Sequence, residues 1–477
     1  MPTARLSLLD QESCERIHKV ALRLLDCIGV AVADPETCRI LQQAGARVDG
    51  TGAVRLPAPL IQEALAKVPQ QVELAGSDGH RFLLPTEEAH YASRVKYPRQ
   101  QGYPPTETHV PTRQEVTNNC RLANALSETK AVFVLDGDTA DLSDAENWVL
   151  TPATVMSTTP KHVISPPIHL HSARQWVGTA EAAARTGDLS REPLLTIEVS
   201  PHGPLKLDAD TAQIELLAAR KGIPLLVLPI PMAGVTAPLT LAGTVAVGVA
   251  ESLFMITLAQ LVRPGTPILY GGNALTFNMR TAAVSLGDPE AALLGGAELA
   301  MAHFYGIPNY RVTGFTDAFF PDVQAGIEKA LATFLGLASG AHLVCLGGAL
   351  GTSTIISHEQ ILIDHDLFQV AQRITRGIEV TEDTLALEVI EAIGHRGGDY
   401  LSHAHTVEWL HSPERYFGGL FNRTPALDPA QTMLANAHRK VEKILVHPKE
   451  GAVPPDVLER VSRYVKEETG RPLEPPS

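Results

Sequence analysis

The chain has 477 residues and a formal charge of −14, with a pI near 5.7. That balance argues against an electrostatic grip on nucleic acid or on an anionic membrane. The length suits two or three average domains, or one barrel with an extra layer.

The opening MPTARLSLLDQESCERIHK has acidic residues where a secretory signal needs an unbroken apolar stretch. No later apolar run reaches about 18 residues without a polar interruption. A cytoplasmic chain that does not enter a membrane is therefore expected. Five cysteines, Cys14, Cys27, Cys38, Cys120 and Cys345, stand at no metal-like spacing, which predicts free thiols. Cys345 falls in a β-rich run and is expected to pack rather than react.

In chain order, residues 8–30 and 35–45 carry helical periodicity and precede a hairpin, ARVDGTGAVRLP, turning at 49–52. A helix over 58–67 and the strand-like QVELAGSDGHRFLLP complete a region, 1–85, expected to be a helical and hairpin cap without chemistry. Beyond it, short apolar strands are predicted at 91–96, 131–136, 162–168, 194–200, 224–230, 267–271, 310–314 and 342–347, with helical stretches between them. Eight such strands over residues 86–351 predict an α/β fold, a (β/α)8 TIM barrel, with a doubly wound open sheet as the alternative. Residues 352–477 read as a C-terminal helical region packed on the barrel, with helices at 360–373, 384–392 and 429–445. The closing PLEPPS is expected to be disordered.

No G-x-G-x-x-G, P-loop, G-x-S-x-G, H-E-x-x-H or C-x-x-C pattern is present. His403 and His405 form an H-x-H pair, with His395 and His411 nearby, but the spacing fixes no third ligand. What gathers at the predicted strand ends is aromatic and polar: Tyr97, Tyr270, Phe277, Phe315, Phe319 and Phe320, with Glu198, His202, Asn273, Arg280, Thr316 and Asp317. Parallel barrels place their chemistry at the carboxyl ends of the strands. The loop 314–320, with Asn273 and Arg280, is therefore expected to form a substrate pocket. Its aromatics fit either a cage for a cation or ordinary core packing, and Arg280 with Asp317 could instead make a structural ion pair.

Three runs are similar to a known family: PIPMAGVTAPLTLAGTVAVGVAESLFMITLAQLVRPGTPILYGGNALTFNMRTAAVSLGDPEAALL, TDAFFPDVQAGIEKALATFLGLASGAHLV and GGDYLSHAHTVEWLHSPERYFGGLFNRTP. They resemble the trimethylamine methyltransferase family, and within it the branch lacking pyrrolysine that includes glycine betaine methyltransferases. The resemblance implies a TIM barrel that moves a methyl group from a methylated amine to the Co(I) form of a corrinoid (cobalamin), which a separate corrinoid protein carries. It implies no tightly bound cofactor, no metal in the chain itself, and a homo-oligomer. The chain has only standard residues; Phe315 or a neighbour is matched to the pyrrolysine position. Without that group a quaternary amine of betaine type is the expected donor, held by residues among Tyr97, Glu198, His202, Asn273, Phe277, Arg280, Phe315, Thr316 and Asp317. Two other classes stay open: a metal-dependent barrel enzyme using His403 and His405, and a non-catalytic relative that docks a corrinoid protein or occupies a dimer interface.

Overall fold

The computed structural model describes residues 6–395, 397–423, 431–447 and 452–474. Eight parallel strands form the barrel: β1 His90–Lys96, β2 Thr129–Val134, β3 His162–Ser165, β4 Leu195–Val199, β5 Leu225–Val227, β6 Ile268–Tyr270, β7 Tyr310–Val312 and β8 Leu343–Leu346. Consecutive strands pair from β1 to β6, β7 pairs with β8, and β8 returns to β1. The remaining gap, between β6 and β7, is closed more sparely. There Tyr270 N donates to Pro308 O at 2.8 Å, bridging Tyr270 to Asn309, and the Arg311 side chain donates from Nη1 to Gly272 O at 2.7 Å.

Strands buried on both faces must be apolar throughout, and their side chains divide by alternation. Val132, Val163, Ile197, Leu225 and Ile268 pack with the helices, whereas Ala92, Phe133, Ile164, Leu226, Leu269, Tyr310 and Cys345 fill the barrel. A helix follows each strand: α1 Arg113–Ala125, α2 Asp144–Thr158, α3 Leu170–Ala183, α4 Ala209–Lys221, α5 Leu241–Val262, α6 Pro289–Tyr305, α7 Val323–Ala338 and α8 His358–Thr375. Local chemistry sets their ends. Thr112 and Glu115 cap α1 reciprocally, and the Asp208 carboxylate accepts from Thr211 N at the start of α4. Gly222 and Gly306, at φ +67 and +65, end α4 and α6 in the left-handed conformation that glycine adopts without penalty.

Helix α5 is long and apolar enough to span a bilayer, but 89% of its most apolar window is buried inside the protein. A helix that is hydrophobic all round belongs in a core, and the N-terminal helix Gln11–Cys27 lies across it. In the same N-terminal region, strand Val30–Val32 pairs with Ala53–Arg55 and with Lys206–Leu207, beyond β4. The eighth β/α unit is completed by α8, which ends at Thr375. Helix Met433–Val446 packs on α8, and helix Pro455–Thr469 packs on α2 and α3. Residues 429–430 and 475–477, in the helix and the tail expected from sequence, lie outside the described residues.

Two features run against ordinary amphipathicity. Helix α7 buries Ala325, Lys329, Thr333 and Gly336 and turns Val323, Ile327, Leu331 and Phe334 outward. From Gly377 to Phe417 the chain forms an arm with three short helices, Glu382–Leu385, Leu387–Ile393 and Ala404–Trp409, in which, among the described residues, Ile393 alone is buried.

Candidate active site

Within β1, Arg94 projects into the barrel and is 1% exposed. Its Nε donates to Tyr97 Oη at 2.7 Å, and Ser353 Oγ donates to the same oxygen at 3.1 Å. The guanidinium lies 4.8 Å from the centre of the Phe315 ring and 5.6 Å from that of Tyr97. Gly314 makes room for it: a Cβ there would stand 3.0 Å from Arg94 Nη1 and 2.7 Å from Leu346 Cα. Nη1 itself is buried with no hydrogen-bond acceptor.

Glu198, near the end of β4, is the counterpart. It is 7% exposed, and its Oε2 has no donor. Burial pushes its carboxyl up to about 8, while the positive charge of Arg94 pulls the other way. The two groups sense each other electrostatically without forming an ion pair. Tyr310 and Cys345 face the same interior, and burial raises both, so the Cys345 thiol stays protonated. A second buried cation, Lys96, donates to Gly137 O at 2.6 Å; burial lowers its ammonium to about 8 against the pull of Asp136 and Asp138.

The loop after β7 is pinned from several sides. The Asp317 carboxylate accepts from Leu286 N at 2.9 Å, Gly287 N at 3.2 Å and Thr352 Oγ1 at 3.0 Å, and from Ser285 Oγ. Thr316 Oγ1 donates to Glu328, whose Oε2 also accepts from Asp317 N at 2.9 Å. Lys329 Nζ donates to Gly314 O at 2.7 Å and to Asp364 Oδ2 at 2.9 Å, with both side chains wholly buried. Asp364 Oδ2 also accepts from Gly347 N at 3.2 Å and Gly348 N at 2.8 Å, beyond β8. These bonds fix the loop that presents Phe315.

Of the residues singled out in the sequence, Tyr97 and Phe315 thus converge on Arg94, and Glu198 lies within reach of its charge. Thr316 and Asp317 hold the loop, and Asp317 binds backbone and hydroxyl donors rather than Arg280. Asn273 backs onto Phe315 across a void of about 20 Å³, room for one water at most. Phe277 lies in the hairpin Thr276–Asn278/Ala283–Ser285, and Arg280 is exposed at its tip, where its N–H donates to Asn278 Oδ1. His202 is exposed and pairs with Asp208 at 2.7 Å. The expected cage for a foreign cation meets a different arrangement, since Phe315 and Tyr97 flank a cation of the chain itself.

Arg94 escaped the sequence reading. The signal was present in Ser93-Arg94-Val95-Lys96, where charged residues occupy alternate positions of a strand that should be apolar on both faces. His403 and His405 show no shared target. His403 Nδ1 accepts from His405 N at 3.2 Å, capping a short helix, and the His405 ring stacks on Trp409. Among the described residues no three His, Cys, Asp or Glu side chains converge as a metal site.

A (β/α)8 barrel with buried ionisable groups left short of partners near the carboxyl ends of its strands has the form of a TIM-barrel enzyme. The profile of the trimethylamine methyltransferase (MTTB) family matches residues 1–471. The chain belongs to this family and is a methyltransferase. It is 30% identical to the trimethylamine methyltransferase of Methanosarcina barkeri (strain Fusaro / DSM 804), over 96% of this chain and 94% of that protein. It is 25% identical to the glycine betaine methyltransferase of Desulfitobacterium hafniense (strain Y51), over 97% of each. Among solved structures, the monomethylamine methyltransferase of Methanosarcina barkeri shares the fold, with a TM-score of 0.51 at 14% identity, covering 93% of this chain and 96% of that one.

Proposed function

We propose that the protein takes a methyl group from a zwitterionic quaternary amine of betaine type and delivers it to the Co(I) corrinoid of a separate partner protein, in the cytoplasm. The observation that carries this reading is the pair of unmatched buried groups, Arg94 Nη1 and Glu198 Oε2, inside one barrel. A donor with a carboxylate at one end and a tetraalkylammonium at the other supplies the missing partner to each. The carboxylate accepts from Arg94, a charge-assisted bond. The ammonium, which has no N–H to donate, takes Glu198 as its counter-charge.

The chemistry asks little else of the chain. When the C–N bond breaks, its electron pair stays on nitrogen, so a quaternary donor leaves as a neutral tertiary amine and needs no proton. The acceptor substrate supplies the electron pair for the new bond to carbon. The protein then works by orientation and exclusion of water. Met279, Phe319 and Phe320, exposed on the loops after β6 and β7, offer an apolar rim to a partner presenting a corrinoid at the barrel mouth.

The test is methylation of Co(I) cobalamin with a panel of glycine betaine, longer betaines, choline and trimethylamine. Betaines should react fastest. Choline has the ammonium but no carboxylate, so choline matching the best betaine, or trimethylamine exceeding it, would overturn the reading.

A further inference from the structure

At the amino end of the barrel, a cavity of about 240 Å³ lies where the hairpin Val72–Ala75/Arg81–Leu84 meets the starts of β2 and β3. Thr129 and Lys130, which open β2, line it together with Lys161, just ahead of β3, and with Asp78, His80 and Phe82 of the hairpin. The hairpin turn is held against the barrel by Ser77 N, which donates to Pro160 O at 2.9 Å. Only glycine fits beside that bond, since a Cβ on Gly76 would collide with the same carbonyl. From Thr129 to Val134 at the other end of β2 the strand rises roughly 16 Å, at about 3.3 Å per residue. The cavity is therefore a separate place from the one around Arg94 and Glu198.

We infer that this cavity binds a small oxyanion, a phosphate group, and that the anion ties the hairpin to the barrel. Two ammonium groups line it against one carboxylate, in a chain whose formal charge is −14. The local excess of positive charge thus runs against that of the whole protein and would concentrate an anion there. The one carboxylate is engaged with its own turn: Asp78 Oδ1 accepts from His80 N at 2.9 Å. The positive potential reaches His90 at the start of β1, whose imidazole is lowered to about 4 by burial, with the charges of Lys130 and His80 pushing the same way. Thr129 is wholly buried, and its Oγ1 has no hydrogen-bond partner. A buried hydroxyl left so is costly. A phosphate oxygen would accept from it while Lys130 and Lys161 supply charge-assisted bonds. The volume admits an ion of that size and falls below the range of pockets for drug-sized ligands.

Titration calorimetry of the full chain with inorganic phosphate and with glycerol phosphate, at an ionic strength held constant with chloride, tests the inference. Inorganic phosphate should saturate a single site, raise the melting temperature and slow hydrogen exchange at residues 76–80. Lys130→Gln should weaken binding about tenfold, and Lys130→Arg should restore most of it. Thr129→Val, which keeps the shape and removes the hydroxyl, should weaken binding with the circular dichroism unchanged. Glycerol phosphate binding as tightly would support a phosphate ester as the ligand, and binding of the inorganic ion alone would support free phosphate. Phosphate that stabilises the protein no more than chloride would overturn the inference, as would binding unmoved by both Lys130→Gln and Thr129→Val. Unaltered exchange at residues 76–80 in the saturated protein would overturn the tie between hairpin and barrel.

Discussion

The guanidinium of Arg94 lies 4.8 Å from the centre of the Phe315 ring, so that aromatic face is engaged by a cation belonging to the protein. On the proposed reading, Phe315 acts on substrate through Arg94. Phe315→Ala should weaken a betaine by about 0.5 to 2 kcal/mol, the range of a cation–π contact, and should leave choline nearly unaffected. Competition between the two compounds for the wild-type and variant proteins measures this. An equal loss for both would mean that the ring touches the ammonium instead.

Removing the charge of Arg94 itself is the stronger test of carboxylate recognition. Arg94→Met should cost a betaine about 1.5 to 3 kcal/mol, the range of a hydrogen bond to a charged group, seen chiefly as a raised KM. Arg94→Lys keeps the charge but loses the planar fork, and should recover part of that loss. If KM is unmoved by either change, Arg94 does not meet the substrate.

Glu198 makes the protein's stability depend on pH. Its carboxyl is raised from 4.5 to about 8 by burial, so the folded protein keeps a proton that the unfolded chain releases. Its contribution is fully present below pH 4.5 and is lost as pH rises through about 8. Urea unfolding across that window should show stability falling in the wild type and a shallower fall in Glu198→Gln. A bound quaternary ammonium favours the ionised form, so binding near pH 7 should release up to about one proton. Calorimetry in buffers of different ionisation heat measures that release, and it should vanish in Glu198→Gln.

Lys329 and Asp364 form an ion pair with no exposed atoms. Breaking such a pair leaves an uncompensated buried charge, so Lys329→Met should lower stability by about 3 to 5 kcal/mol, measured by urea unfolding. Lys329 also holds Gly314 O beside Phe315. Methyl transfer should therefore fall further than the folded fraction does, and activity that merely tracks that fraction would limit the pair to a structural role.

Much of the barrel was legible because parallel strands buried on both sides appear as short apolar runs between helices. His162–Ser165 and Leu343–Leu346 are of this kind, and glycines such as Gly222 and Gly306 mark where helices stop. The site was legible only in part. Asp317 looked like a binding group, but its partners at 285–287 and 352 lie about 30 residues away in the chain, and only closure of the barrel brings them together. Periodicity identified α7 as a helix without telling which face turns inward, because that depends on what lies outside it. Arg94 sat in a strand, where a charge looks like solvent-facing alternation until the barrel shows that no face of β1 meets solvent.

Around most of the barrel, neighbouring strands are held at a width fixed by the peptide ladder. Between β6 and β7 one backbone bridge and one guanidinium do that work, so the local circumference depends on the length of a side chain. Arg311 is anchored from behind by Glu298 at 2.7 Å. The strands it joins lead into the loops bearing Asn273 and Phe315. A shorter residue in place of Arg311 would leave that joint to the single backbone bridge, beside the void that Arg311 lines together with Asn273 and Phe315.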